Sequence, residues 1–416
     1  MLCVILFILT ALPVVQGGCN KHKDCLSCAS SSIFFVKCRW CEMSGTCHSP
    51  GSTANLCTTC SNSDISKLCS VTEPDKCGKN NQNGTKSGEF EPYEAYNAAL
   101  FSAVAYTDDP VRCANTIFPA GELEIVEIIG RKCNYLFKYK ECFAIAAVSH
   151  TMKKIILAYR GTTSKAQLIE EFATVLGRFK VSAKVGGNVQ EYFSNANDQI
   201  YSCAKSSIKD LVNKYPNYRV VVTGHSLGGA IASIASAQLS FDNIIDKDKT
   251  TLYTFGMPRT GDRPYAKNHD RLVPKSWRIV HFKDIVPKLP TLTALSSSPY
   301  HHQREIFYGK DMGMISDFIE CFEYEDEKCG RSVSASTSSV NYHRTYYGIH
   351  VGSHCDDRMN KRSDGDSDMS HLFSNDTCKR IKVSELPTSG ALRYVQRVMS
   401  IISVSLFCVT FRPVQY

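Results

Sequence analysis

One serine stands between glycines immediately after a run of β-branched residues. The stretch "VVVTGHSLGGA" (220–230) contains the pentad "GHSLG", which fits the pattern Gly-x-Ser-x-Gly with Ser226 at its centre. The valines before it predict a strand and the small residues after it predict a helix, which is the context that a nucleophile elbow needs. Glycines leave room in such a tight turn, and the start of the helix favours negative charge that develops beside the serine oxygen. Ser226 is therefore the predicted nucleophile.

A serine hydroxyl needs a general base, and the base needs a carboxylate that orients it. In α/β-hydrolases these partners follow the serine in the order acid, then histidine. Asp284 follows a predicted strand, in a loop that two prolines fix ("RIVHFKDIVPKLP"), whereas Asp262 in "PRTGDRP" is interpreted as structural. The histidines further along the chain are His301, His302, His343, His350 and His354. The order of residues alone leaves the choice among them open.

Four apolar stretches predict the strands that must position these residues. They are segments 153–162, 218–224, 250–258 and 276–284. None has the regular alternation of a half-exposed strand. Helices are predicted for segments 93–106, 190–216 and 228–241. Buried strands separated by helices indicate a mostly parallel sheet that is covered on both faces. The predicted fold class is α/β, of the α/β-hydrolase type.

Motifs across residues 91–356 resemble those of the class 3, fungal-type lipases. They follow that family's order: "AYRGTTS", "VVVTGHSLGGA", "LYTFGMPRTGD", "FKDIVPKLP" and "YHRTYYGIHVGSHC". The resemblance implies Ser226 as the nucleophile, Asp284 as the orienting acid and His343 as the base. It disfavours His301 and His302, because the family carries a non-catalytic histidine in the run that corresponds to "YHHQREIF".

The resemblance also implies an oxyanion hole and a lid. The family's "RG-Ser/Thr" position corresponds to Thr162, whose backbone N–H is expected to hold the tetrahedral oxyanion together with that of Leu227. The family's lid follows this strand, where the segment 164–177 ("SKAQLIEEFATVLG") stands. Its large apolar residues share one helical face: Leu168, Ile169, Phe172, Val175 and Leu176. A lid and an ordinary core helix are both consistent with this pattern.

The cysteines of this region fit the same family. The resemblance implies a long-range disulfide between Cys113 and Cys355 and a local one between Cys321 and Cys329. A hairpin could bring Cys133 and Cys142 together. The cysteines then left over are Cys203, Cys378 and Cys408. One of these three thiols is therefore expected to be free or intermolecular.

The N-terminal residues predict a secretory signal peptide and, after it, a small module that disulfides hold together. Residues 1–17 are apolar and have the length of a secretory signal peptide, although they contain no Lys or Arg. Ten cysteines crowd into residues 19–77, and an oxidising destination favours disulfides over zinc binding. The run "CNKHKDCLSC…CRWCEMSGTC" resembles the cysteine-rich module of plexins, semaphorins and integrins. That resemblance implies a spacer or a module that binds a protein partner.

The remaining segments complete the predicted domain organisation. Residues 78–91 read as a linker, residues 92–380 as the lipase domain and residues 381–416 as a tail of unknown structure. The tail's apolar stretch 398–411 could be a lipid-anchor signal, a strand, a weak membrane anchor or the result of an error in the predicted gene. Asn83 and Asn375 each begin an Asn-x-Thr glycosylation acceptor, which predicts surface loops.

Composition excludes several classes of function. The chain has 416 residues and a formal charge of +8, with no basic stripe of the kind that binds nucleic acid. No motif predicts a cofactor or a metal, because the acidic run 356–368 fails the calcium-loop spacing. The predicted function is a secreted carboxylic-ester hydrolase, foremost a triacylglycerol lipase that meets its lipid ester at a lipid–water interface. The alternatives are a phospholipase or another esterase, and a non-catalytic binding protein on a hydrolase scaffold.

Overall fold

The computed structural model describes most of the predicted lipase domain and parts of the cysteine-rich segment. The described residues are 19, 22, 28, 31–33, 36–41, 46–48, 90–133, 142–161, 180–293, 298–309, 312–314, 316–359, 372–374 and 376–386. The predicted signal peptide, the predicted lid 164–177 and most of the predicted tail lie outside them. So do Thr162, Asn83, Asn375 and Cys408. What was predicted for these residues remains a prediction.

Short strands and disulfides organise the described part of the cysteine-rich segment. Its strands form two antiparallel pairs, β1 (Ser32–Ile33) with β2 (Val36–Lys37) and β3 (Arg39–Cys41) with β4 (Thr46–His48). Disulfides join Cys19 to Cys38 and Cys28 to Cys47. A cysteine that binds zinc must be a free thiolate. These four cysteines are bonded to one another in pairs, so they support disulfides rather than a zinc site.

A nine-stranded sheet forms the centre of the lipase domain. The strands that follow β4 in the described chain are β5 (Glu124–Arg131), β6 (Cys142–Ser149), β7 (Lys154–Tyr159), β8 (Lys180–Ser182), β9 (Asn188–Gln190), β10 (Arg219–His225), β11 (Thr250–Phe255), β12 (Ser276–His281), β13 (Glu305–Tyr308), β14 (Phe318–Cys321), β15 (Thr345–Tyr346), β16 (Ile349–His350) and β17 (Lys379–Lys382). The order in the sheet is β14-β13-β12-β11-β10-β7-β6-β5-β17. The predicted α/β-hydrolase fold is confirmed: its centre, from β13 to β7, is parallel, and both edges are antiparallel.

Helices cover both faces of this sheet. The α-helices are α1 (Pro92–Val104), α2 (Pro110–Ile117), α3 (Glu191–Lys214), α4 (Leu227–Phe241), α5 (Arg263–Leu272), α6 (Val340–Arg344) and α7 (His354–Arg358). Short 3₁₀ helices span Val286–Lys288, Gly330–Ser332, Ala335–Thr337 and Val383–Glu385. Val221 of β10 shares a core with α1, whereas Val220 and Val222 share the opposite core with α3 and α4. Burial on both faces explains why the sequence of β10 does not alternate.

Four disulfides staple the domain. They are Cys113–Cys355, Cys133–Cys142, Cys203–Cys378 and Cys321–Cys329. The first spans 242 residues and ties α7 to α2. The third joins α3 to the residue before β17, so two of the three cysteines left over by the sequence pair with each other. β17 runs across the predicted domain end at residue 380, which places the start of the predicted tail inside the sheet.

No helix within these described ranges has both the length and the apolar character that crossing a membrane requires.

Candidate active site

Ser226 occupies a strained turn between β10 and α4. Its φ of 59° and ψ of −130° lie where residues other than glycine are rarely found. The turn is also crowded, since a Cβ on Gly224 would lie 2.2 Å from the carbonyl oxygen of Gly228. A Cβ on Gly228 would lie 2.3 Å from the carbonyl oxygen of Tyr159 in β7. The glycines of the pentad are therefore required by close packing, as the pattern predicted.

The surroundings of Ser226 suit an oxyanion hole. Leu227 is the first residue of α4, where backbone N–H groups have no partner within the helix. The end of β7 passes directly against the elbow, because a Cβ on Gly228 would also lie 2.9 Å from the backbone nitrogen of Gly161. Gly161 immediately precedes Thr162, which lies outside the described residues. The chain that leads to the predicted oxyanion residue therefore runs beside the serine.

Asp284 is held as a carboxylate in the turn after β12. It is fully buried, and its Oδ1 accepts a hydrogen bond from the backbone N–H of Val286 at 2.9 Å. Its Oδ2 accepts one from the hydroxyl of Tyr346 at 2.5 Å. Burial alone would raise the pKa of Asp284, but His343 and these two donors hold that pKa below its ordinary value. The site thus keeps a negative charge at this position.

His343 of α6 makes a direct contact with this carboxylate. Its Nδ1 lies 2.9 Å from Oδ2 and 3.1 Å from Oδ1 of Asp284. Among the described residues, its Nε2 is buried and has no hydrogen-bond partner. A carboxylate on Nδ1 fixes the tautomer in which Nε2 accepts a proton. His343 therefore has the orientation that a general base requires.

The end of β11 brings the three residues together. The backbone N–H of Ser226 donates to the carbonyl oxygen of Phe255, the last residue of β11, at 2.9 Å. The next residue, Gly256, has a φ of 58°, and a Cβ there would lie 2.6 Å from both Oδ2 of Asp284 and Nδ1 of His343. Glycine is needed at this position for the acid–base pair to approach the strand end beside the serine.

A second histidine of this site, His225, was not predicted from the sequence. The ring of His225 stacks on that of His343, with centroids 4.5 Å apart. Its Nε2 donates to the carbonyl oxygen of His343 at 2.7 Å, and the hydroxyl of Tyr106 donates to its Nδ1 at 2.8 Å. Burial, followed by the proximity of His343, lowers the pKa of His225 to about 3. His225 is therefore a neutral side chain that supports His343. In the sequence, its position inside the pentad beside Ser226 was the signal that could have indicated a place in this site.

The other candidates lie elsewhere. His301 donates from Nε2 to the carbonyl oxygen of Pro287 at 2.8 Å, and His302 stacks on His269. His350 is exposed on β16, and His354 begins α7. No hydrogen bond to Asp284 from these four histidines is found in the described part of the chain.

Asp262 has the structural role that its position suggested. It is the N-cap of α5, where its Oδ1 accepts from the backbone N–H of Tyr265 at 3.0 Å. The same oxygen accepts from the backbone N–H of Asn188 in β9, also at 3.0 Å. Asp262 therefore caps a helix and anchors a strand, which agrees with its interpretation as a structural residue.

A serine in a strained strand–helix turn, beside a buried histidine that a carboxylate orients, defines a serine hydrolase of the α/β-hydrolase fold. Similarity to known proteins identifies the family within this class. Residues 156–294 match the family described as Lipase (class 3). Lipase ZK262.3 of Caenorhabditis elegans is 30% identical over 297 residues, which cover 64% of this chain and 82% of that protein. The chain belongs to the class 3 lipases and is a serine ester hydrolase.

The chain is also similar to solved structures of fungal lipases. The triacylglyceride lipase of Rhizomucor miehei is similar with a TM-score of 0.55 at 25% identity, over 66% of this chain and 99% of that one. A fungal lipase–inhibitor complex, described as a model for interfacial activation, is similar with a TM-score of 0.54 at 25% identity, over 65% and 98%.

Proposed function

We propose that this protein is a secreted triacylglycerol lipase in which Ser226 is the nucleophile, His343 the general base and Asp284 the orienting acid. The observation that carries the proposal is the buried contact between Asp284 and Nδ1 of His343, placed at the strand end beside the elbow. The name of the Rhizomucor miehei relative supports the choice of a triacylglycerol substrate.

The reaction follows from this arrangement in two halves. His343 takes the proton of Ser226 on Nε2 while the serine oxygen attacks the ester carbonyl, and Asp284 stabilises the imidazolium that forms. The tetrahedral oxyanion is held by the backbone N–H groups of Leu227 and Thr162. Its collapse breaks the ester C–O bond, and His343 returns the proton to the departing alcohol. Water then attacks the acyl-serine by the same route and releases the fatty acid.

The substrate is met at a lipid–water interface. Ser226 is only 3% exposed, so a lipid ester reaches it only after covering groups move. The segment 164–177 follows β7 in the sequence, and its large apolar residues are spaced to share one face of a helix, which suits a lid that opens onto lipid. The solved complex that models interfacial activation in a fungal lipase supports this role.

Secretion is proposed on two grounds. Residues 1–17 have the composition of a signal peptide. The disulfides of the lipase domain and of the cysteine-rich segment form and persist in oxidising compartments. Asn83 and Asn375 would then be available for glycosylation.

The proposal is tested on the full chain collected from the medium of a secreting host. An organophosphorus probe should label the wild type and fail to label Ser226→Ala, whose ester hydrolysis should fall by about 10³-fold or more. In a panel of emulsified tri-, di- and monoacylglycerols, phospholipids and water-soluble esters, triacylglycerol should be cleaved fastest. Faster cleavage of phospholipid or of soluble esters would show that triacylglycerol is not the preferred substrate. A folded protein without labelling or hydrolysis would identify a non-catalytic scaffold.

A further inference from the structure

Two buried histidines face each other outside the proposed catalytic site. His269 of α5 and His302, in the loop before β13, stack with ring centroids 4.0 Å apart and planes 12° apart. Both side chains are almost fully buried, at 0% and 1% exposure. In the described part of the chain, both ring nitrogens of His269 and Nε2 of His302 lack a hydrogen-bond partner. Buried polar atoms are rarely left in this state, so the cluster calls for an explanation.

A carboxylate completes the cluster. Oδ1 of Asp270 lies 3.9 Å from Nδ1 of His269 and accepts the backbone N–H of Gln303 at 3.1 Å. The hydroxyl of Tyr324 also interacts with this carboxylate. One ligand atom from each of His269, Asp270 and His302 lies within 4.8 Å of the other two. The side chain of Asp270 is 19% exposed, which gives an ion a route from solvent.

We propose that His269, Asp270 and His302 bind a divalent transition metal, zinc above all, with water as a fourth ligand. Two imidazoles and one carboxylate are a donor set that zinc accepts in tetrahedral geometry. Ligand atoms around zinc stand roughly 3.3–3.5 Å apart, since Zn–N and Zn–O bonds are about 2.0–2.2 Å. The cluster must therefore contract by about an ångström, and one ring must tilt because stacked rings direct their lone pairs in parallel.

The charges around the cluster permit a cation. His302 is almost fully buried, and its Nε2 has no hydrogen-bond partner in the described part of the chain, which leaves this nitrogen available to an ion. The guanidinium of Arg278 is paired with Glu305, its Nη2 lying 3.1 Å from Oε2. With Arg278 paired, Asp270 supplies a negative charge for the ion.

An ion at this position would tie α5 to the loop that carries His301 and His302. His301 in turn donates to the carbonyl oxygen of Pro287, three residues after Asp284. The metal would therefore brace a loop that supports the catalytic acid, without entering the reaction itself. Because it binds the folded state, it would raise the stability of the protein by mass action.

The test uses the full chain after chelator stripping and measures zinc uptake by equilibrium dialysis with elemental analysis. The wild type should bind one more equivalent of zinc than His269→Gln. Zinc at about 100 times its dissociation constant should raise the Tm of the wild type by roughly 3 °C, and should not raise that of His269→Gln. His150→Gln is the matched control, because His150 is exposed on the loop between β6 and β7 and should leave both readings unchanged.

A second variant protects the test against a folding defect. Asp270→Asn keeps the size of the side chain and its contact with Gln303, and should bind zinc at least tenfold more weakly while still hydrolysing esters. The proposal is overturned if the stripped wild type takes up no zinc. It is equally overturned if His269→Gln and Asp270→Asn match the wild type in zinc uptake and Tm shift, which would leave the histidines as a packed stack only.

Discussion

At the scale of single residues, the Asp284–His343 pair is held from several sides. Tyr346 and Val286 donate to the carboxylate, and Gly256 leaves the space that the pair occupies. His225 stacks on the ring of His343 and donates to its backbone carbonyl oxygen. Preorganised contacts of this kind hold a catalytic group in position before substrate arrives.

Replacing the base should remove the reaction without removing the fold. His343→Ala is expected to lower kcat/KM by about three orders of magnitude or more, because the variant loses the group that is proposed to take the proton of Ser226. The matched control is His350→Ala, an exposed histidine seven residues along the chain, which should retain wild-type activity. Initial rates on an ester and circular dichroism on each variant check this. Comparable rates in the two variants would contradict the assignment of the base.

Tyr346 should act through Asp284. Tyr346→Phe removes one of the donors that lower the pKa of Asp284, so that pKa should rise toward its ordinary value. The ionised carboxylate is needed for catalysis, so the acidic limb of the kcat profile should move to higher pH, by roughly half a unit, and kcat should fall about tenfold. KM should stay unchanged, because the Tyr346 side chain is buried and its hydroxyl is directed at Asp284. An unshifted profile with an altered KM would show that Tyr346 has a different role.

The sequence reveals these residues to different degrees. Ser226 is visible because its pentad and the flanking elements are contiguous, and Asp284 because it follows a predicted strand. His343 could be chosen among the histidines downstream only through the family resemblance. The contacts of Tyr106 with His225 and of Tyr346 with Asp284 join residues 119 and 62 apart in sequence. No local pattern encodes such pairs, because the fold brings them together.

At the scale of elements, four strands in the centre of the sheet were predicted and the strands that flank them were not. The parallel strands β7, β10, β11 and β12 carry continuous apolar runs, and all four were predicted. The other strands of the sheet were not predicted. β14 and β17 are four residues each, lie at the sheet edges and are partly exposed, which gives a weak signal. β13 is also only four residues long, and β5 and β6 were not predicted although they are eight residues long and mostly buried. The disulfide between Cys203 and Cys378 joins residues 175 apart, a pairing that depends on where β17 is added to the sheet.

The predicted lid 164–177 gives a test at the same scale. Activity per molecule should rise several-fold when a short-chain triacylglycerol passes from solution to emulsion, because the apolar face would leave the serine and contact lipid. Phe172→Asp should reduce this rise and spare hydrolysis of a soluble ester, whereas Gln167→Asp, on the opposite face of the predicted helix, should preserve the rise. Rates measured across the solubility limit check this. A smooth saturation curve in the wild type would identify a lidless esterase.

At the scale of the whole molecule, buried histidines make stability depend on pH. Burial lowers the pKa of His225 to about 3 and that of His354 to about 4, and it holds the pKa values of His301 and His302 well below 6.5. Folding therefore opposes protonation of four histidines that take up protons freely once the chain unfolds. The stabilisation that these neutral histidines contribute is fully present above about pH 6.5. It is lost as the pH falls toward the pKa values that the histidines have in the folded state.

The free energy of unfolding should accordingly fall below pH 6.5, by up to about 1.4 kcal/mol per pH unit for each histidine that gains a proton on unfolding. Urea unfolding between pH 7.5 and 5, with EDTA present to exclude metal binding, measures the slope. His301→Gln, whose amide can still donate to the carbonyl oxygen of Pro287, should reduce the slope by one proton, because the variant has one fewer histidine to titrate. His350→Gln should leave it unchanged, since His350 is exposed and titrates alike in both states. A free energy of unfolding that stays constant from pH 7.5 to 5 would contradict the neutral state of these buried rings.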